Sequence, residues 1–180
     1  MATICIDAGH GGTDPGAVSH DNIKEKSITL TIATSLRKRL LGAGQQVLLT
    51  RNNDIFVPLS TRCSYANNLK ADLFLSIHCN SSLNNKASGT ETFCLRKGTR
   101  GENLAQHIQH NMIELTRLKD RGVKNEAFCV LEDTHMPAAL VEIAFISNFE
   151  DKKKLLDNTF QNTVVLALEK AIVKYISEVT

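Results

Sequence analysis

The chain has 180 residues, a length that suits one domain (1–180) built on a single sizeable core. Its 42% hydrophobic and 22% charged residues form an ordinary globular mixture, and an evenly spread net charge of +2 offers no basic surface for nucleic acid. No stretch approaches the roughly 18 unbroken apolar residues of a membrane helix, and MATICID enters a strand with no basic and apolar leader before it, so neither membrane insertion nor a signal peptide is expected.

The predicted elements alternate. ATICID reads as a first strand, followed by a loop from Ala8 to Ile23 rich in Gly, Asp and Pro. Glu25 to Leu41 reads as a helix with Ile28, Ile32, Leu36 and Leu40 on one stripe, ended by Gly42 and Gly44. QVLLTR is a second strand, Ser60 to Lys70 a helix, and DLFLSIHC a third strand before a polar loop from Asn80 to Ser88. GTETFCLR reads as a fourth strand and Gly101 to Leu118 as a helix. Phe128 to Leu131 and Ala138 to Ile146 are predicted strands, and two helices close the chain. Strands separated by helices at this spacing predict an α/β fold, a three-layer αβα sandwich around a mostly parallel, mixed sheet of about six strands.

There are five cysteines, with no CxxC pair, four of them in predicted strands. They are expected to be free buried thiols of a chain made in a reducing compartment, not a thiolate metal site. No exposed apolar helix stands out, so a monomer is expected.

Polar residues that interrupt apolar strands carry the chemistry. His10 follows ICIDAG and His78 ends DLFLSI, each just past the carboxyl end of a strand, the edge at which open α/β sheets bind ligands. Two imidazoles brought there can share one metal. A catalytic zinc site wants a third N or O donor and one open position. Glu25, Asp14 and Asp21 all compete for that place, and spacing alone does not choose among them. Glu142 lies inside PAALVEIAFI, on the strand face predicted to carry Leu140 and Ala144. A carboxylate there has a raised pKa unless something holds it charged, which suits a general base; the plainer reading is a structural ion pair. GHGGTDPG is a weak phosphate-loop signal without the GxGxxG or GKS spacing, and no GxSxG marks a serine nucleophile.

The set IDAGHGGTDPGA, KEKSITLTIA, VLLTR, ADLFLSIHCNSS, GTETF, RGVK and PAALVEIAFISN, in this order across nearly the whole chain, resembles the zinc-dependent N-acetylmuramoyl-L-alanine amidases of the type 3 family. The resemblance implies that Glu25 joins His10 and His78 as ligands of Zn2+ and that Glu142 is the catalytic carboxylate. It places Arg121 beside the substrate cleft, where a cation would help steady an oxyanion. Asn80 is expected to support the site, and Asp7 to orient an imidazole. The short stretch between Asn80 and Gly89 implies an open site without the inhibitory helix of some relatives. The implied partner is peptidoglycan, a glycan strand with its stem peptide. The implied place of action is the cell wall, extracellular or periplasmic, reached as a phage lysin or as a piece of a longer secreted protein. A non-catalytic wall-binding domain and a metallo-carboxypeptidase acting on stem peptides are the rival readings.

Overall fold

The computed structural model describes residues 1–179. Six strands form one sheet: β1 (Thr3–Ala8), β2 (Gln46–Leu49), β3 (Leu73–Asn80), β4 (Thr90–Cys94), β5 (Asp120–Asn125) and β6 (Ala138–Phe145), in the order β2-β1-β3-β6-β4-β5. The pairs are parallel except β4 with β6. The reversal has a positional consequence. The amino ends of β4 and β5 meet the carboxyl ends of β1, β3 and β6 at one edge.

Helices cover both faces. α1 (Glu25–Gly42), α3 (Arg100–Thr116), α5 (Phe149–Leu155) and α6 (Asn158–Val179) bury the larger core, and α2 (Leu59–Asn68) and α4 (Cys129–Glu132) the smaller one. α1 forms because Ile28, Ile32, Leu36 and Leu40 recur on one face, all buried. Gly44, at φ +77°, lets the chain turn out of it. α3 starts at Thr99, whose hydroxyl accepts from Glu102 N, while the Glu102 carboxylate accepts from Gly98 N. Residues 81–89 join β3 to β4 without a helix.

Three expectations need correction. Phe128 to Leu131 is not a strand: the segment turns into α4, closed by Glu132 N to the Phe128 carbonyl and Asp133 N to the Cys129 carbonyl. A four-residue apolar run has no period to separate the two states, and the small core is filled by Val130 and Leu131 from one helical turn. Cys129 is accordingly half-buried on a helix; all five cysteines are free, and the other four are buried. The sixth strand is instead β5, DRGVKN, a polar edge strand bent at Gly122, whose φ is +80°. Finally, Ala144 does not share the face of Glu142. Between the pairs His78–Glu142 and Asn80–Phe145 the register slips, with β6 taking one residue more than β3. This bulge sends Ala144 into the larger core while Leu140 stays with the smaller.

Two buried arginines brace the loop after β1. Arg62, on α2, pairs with Asp7 at 2.7 Å and donates to the carbonyls of Ala8 and His10. Arg51 donates to the carbonyls of Ala8 and Gly9. These bonds hold His10 at a left-handed φ of +61°. Arg62→Met should therefore cost about 3–5 kcal/mol, because Asp7 is left as an uncompensated buried charge. Denaturant unfolding reads this, and Asp7→Asn added to Arg62→Met should recover part of the loss.

Candidate metal centre and active site

His10, Glu25 and His78 converge, each offering a donor atom within 4.8 Å of the others. Glu25 opens α1, and its backbone N–H bonds the Ala17 carbonyl, so the loop folds back over it. Its carboxylate lies between the rings: Oε2 is 3.1 Å from His10 Nε2 and Oε1 is 3.0 Å from His78 Nδ1. The N–H groups of Ala17 and Cys79 also donate to it, at 2.8 Å each. The rings stand edge to face with centroids 4.8 Å apart.

Two glycines of the first loop are required by close approach. A Cβ on Gly9 would lie 2.4 Å from the His78 ring, and one on Gly16 2.6 Å from both Glu25 and His10. The Gly-rich loop thus packs its backbone against the donor cluster. Asp14 holds His10 through its far nitrogen, with Oδ2 2.8 Å from Nδ1. Asp7, expected in that role, does not reach a ring. Strand alternation puts it on the face it shares with Cys5, under α2, where it accepts from Thr50, Arg62 and Ser76.

Glu142 faces His78 across the β3–β6 pair, and every other residue of β6 is buried. Its Oε2 is buried and, among the described residues, has no hydrogen-bond partner. Burial pushes its pKa up to about 7, with the Glu25 and Glu91 charges adding to the effect and the imidazoles opposing it. These four side chains line a cleft of about 360 Å³ with Asn80, Leu140, Phe128 and the α4 residues Cys129 and Val130.

Arg121 is not among the lining residues. Its Nε bonds Glu91 Oε2 at 2.6 Å and its guanidinium lies over the Phe145 ring. Glu91 also accepts from Asn80 Nδ2 and Lys124 Nζ, and it stands opposite Glu142 across the β4–β6 pair. Sequence reading missed Glu91, Lys124, Arg51 and Arg62, and it took Asp14 as a rival ligand where the structure makes it the support of His10. The segments GTETF, RGVK and VLLTR held three of them, but nothing in those segments showed what they touch.

The donor set fits a divalent cation: two imidazoles and a carboxylate, a firm bond behind one ring, and an orphaned acid oxygen beside them. Without a cation, protons take its place. Burial opposes the charged His10 ring, but hydrogen bonds and charge from Glu25 and Asp14 outweigh it and raise the pKa to about 9. His78 is raised by Glu25 and Glu142 against its burial, and the two rings hold Glu25 far below the usual carboxylate range despite its own burial. With its pKa near 9, His10 keeps its extra proton at pH 7, so a binding cation must expel it. Cation binding is expected to release at least one proton per ion below pH 9, with affinity falling about tenfold per pH unit for each proton displaced. Calorimetry in buffers of different ionisation enthalpy measures the release, and none would mean that His10 starts neutral.

The comparisons agree with this geometry. The family profile of N-acetylmuramoyl-L-alanine amidases matches residues 4–174. The chain is 37% identical over 175 residues to the N-acetylmuramoyl-L-alanine amidase LytC of Bacillus subtilis, covering 96% of this chain but only 35% of that one. It is 38% identical to the uncharacterised protein YqiI of the same organism, covering 96% of this chain and 84% of the relative. A crystal structure of an N-acetylmuramoyl-L-alanine amidase from Clostridium difficile superposes with a TM-score of 0.96 at 33% identity, over 99% of this chain and 98% of that one. The fold, the ordered motifs and these matches together place the chain in the type 3 N-acetylmuramoyl-L-alanine amidase family.

Proposed function

We propose that residues 1–180 form one catalytic domain, acting as a monomer, that hydrolyses peptidoglycan at the amide between the lactyl carbonyl of N-acetylmuramic acid and the L-alanine of the stem peptide. The observation that carries this reading is Glu142, an acid with an unpartnered oxygen beside a three-donor cluster in an open cleft. The cation is proposed to be zinc, held by His10, Glu25 and His78. Bound there, it supplies Lewis acidity, making water easier to deprotonate and the scissile carbonyl easier to attack.

The chain's own residues move the proton. Glu142 accepts it as the water oxygen joins the carbonyl carbon, and delivers it to the alanine nitrogen as the C–N bond breaks. The products are a lactyl carboxylate and a free amine. A pKa of about 7 lets one side chain do both near neutrality. Arg121, anchored by Glu91, is proposed to bias the rim of the cleft towards the negative charge that develops. Such a substrate puts the working protein in the cell wall, extracellular or periplasmic. No helix among the described residues is long and apolar enough to cross a membrane.

A wall-binding module without activity would lack a ligand or the base, and here all four positions are filled. Mass analysis of digested peptidoglycan tests the bond cleaved. Stem peptides with free L-alanine amino groups are expected, and release of D-alanine would instead mean a carboxypeptidase.

A further inference from the structure

A second set of metal-binding atoms converges beside the same cleft, whose lining includes one of its members, Cys129. Cys63 on α2, Cys129 at the start of α4 and Asp133 just past its end bring two sulfurs and a carboxylate oxygen within 4.8 Å of one another. Cys129 Sγ is 3.2 Å from Asp133 Oδ2, and Cys63 Sγ is 3.6 Å from the Cys129 carbonyl oxygen. Sequence spacing hides the group, because 66 residues separate the two cysteines. The helical form of α4 creates it, by placing Cys129 and Asp133 four residues apart on the side that meets α2.

Three features distinguish this cluster from two thiols packed as small apolar groups. Its charge is one-sided: the ion pairs among the described residues do not include Asp133. Its access is graded, with Cys63 buried, Cys129 half-buried and Asp133 exposed, so a cation can enter from solvent. Its frame is fixed by other bonds, since Asn67 Nδ2 donates to the Asp133 carbonyl at 2.8 Å and His135 N to Asn67 Oδ1 at 2.9 Å.

We propose that Cys63, Cys129 and Asp133 form a second cation site, one for soft divalent ions such as zinc or cadmium. Binding exchanges two protons for one ion. Each Sγ–H loses its proton to solvent and turns the freed electron pair to the ion, Asp133 supplies the third donor, and solvent completes the set. An ion there ties α4 to α2, and so fixes the Phe128–Val130 wall of the cleft.

Cadmium titration of the metal-free protein, followed by the ultraviolet sulfur-to-metal charge-transfer band, tests this without reference to activity. The band should reach the same height in the wild type, where the histidine site takes up a second equivalent without adding to it, and in His78→Ala, where it should saturate at one equivalent per chain, and it should vanish in Cys63→Ser and in Cys129→Ser. Asp133→Asn, which leaves the buried sulfur packing untouched, should keep the band at about tenfold weaker affinity. The proposal is overturned if the wild type gives no band, or if the band survives when both cysteines are replaced. It is also overturned if mass and thiol counting find the two sulfurs already joined as a disulfide, lighter by two hydrogens.

Discussion

Glu142→Ala is expected to keep its metal and its fold while turnover falls by about 10²–10⁴, the range that a positioned acid–base group contributes. The expectation follows from where the carboxylate sits. It is outside the three-donor cluster, so metal content should match the wild type. Its Oε2 has no partner to lose, so stability should hold or rise. Glu142→Gln keeps the shape but cannot accept the proton, and should lose activity to a similar degree. Metal analysis, thermal unfolding and a wall-digestion assay on the same preparations separate these effects. A variant that digests walls at the wild-type rate would remove Glu142 from the mechanism.

His78→Ala is expected to lose metal and activity together. The ring provides one of three donors, and the other two cannot move to replace it. Glu25 is pinned by the N–H groups of Ala17 and Cys79, and His10 by Asp14 behind it and by the Arg62 bond to its carbonyl. Cation affinity should fall by more than about 100-fold, beyond the 10–100-fold typical of removing a supporting partner. Asp14→Asn is the matched control and should fall within that smaller range. Full occupancy in His78→Ala would exclude the ring as a ligand. Equal losses in both variants would mean that Asp14 does more than hold His10.

The sheet edge and its two histidines could be read from the sequence because they depend on local pattern. An apolar run that ends in His marks where a strand leaves the core, as at His10 and His78, and a lone Glu inside such a run, as at Glu142, marks a side chain turned to a site. Glu25 could not be chosen by pattern, since an acid in a helix's first turn is ordinary; the resemblance supplied it. What stayed hidden depends on contacts distant in the chain. Arg51 and Arg62 read as a strand-end and a helix-face cation, yet both are buried against the carbonyls of the His10 loop. Asp7 is the expected holder of a ring and Asp14 a rival ligand, but the alternation of β1 turns Asp7 away and the loop brings Asp14 behind His10. α4 was misread because four apolar residues are too few to show a period, and the cysteine–aspartate cluster depends on that turn. β5 was missed because an edge strand has no need to be apolar.

The central claim is that two imidazoles and one carboxylate, drawn from separate elements, hold a single divalent ion with an acid beside it. Anomalous diffraction at the zinc edge, on crystals grown with zinc, tests it most directly. The account predicts a strong peak enclosed by His10, Glu25 and His78, with Glu142 near but outside its ligand shell. An empty space among those three side chains, with zinc bound only elsewhere, would contradict it.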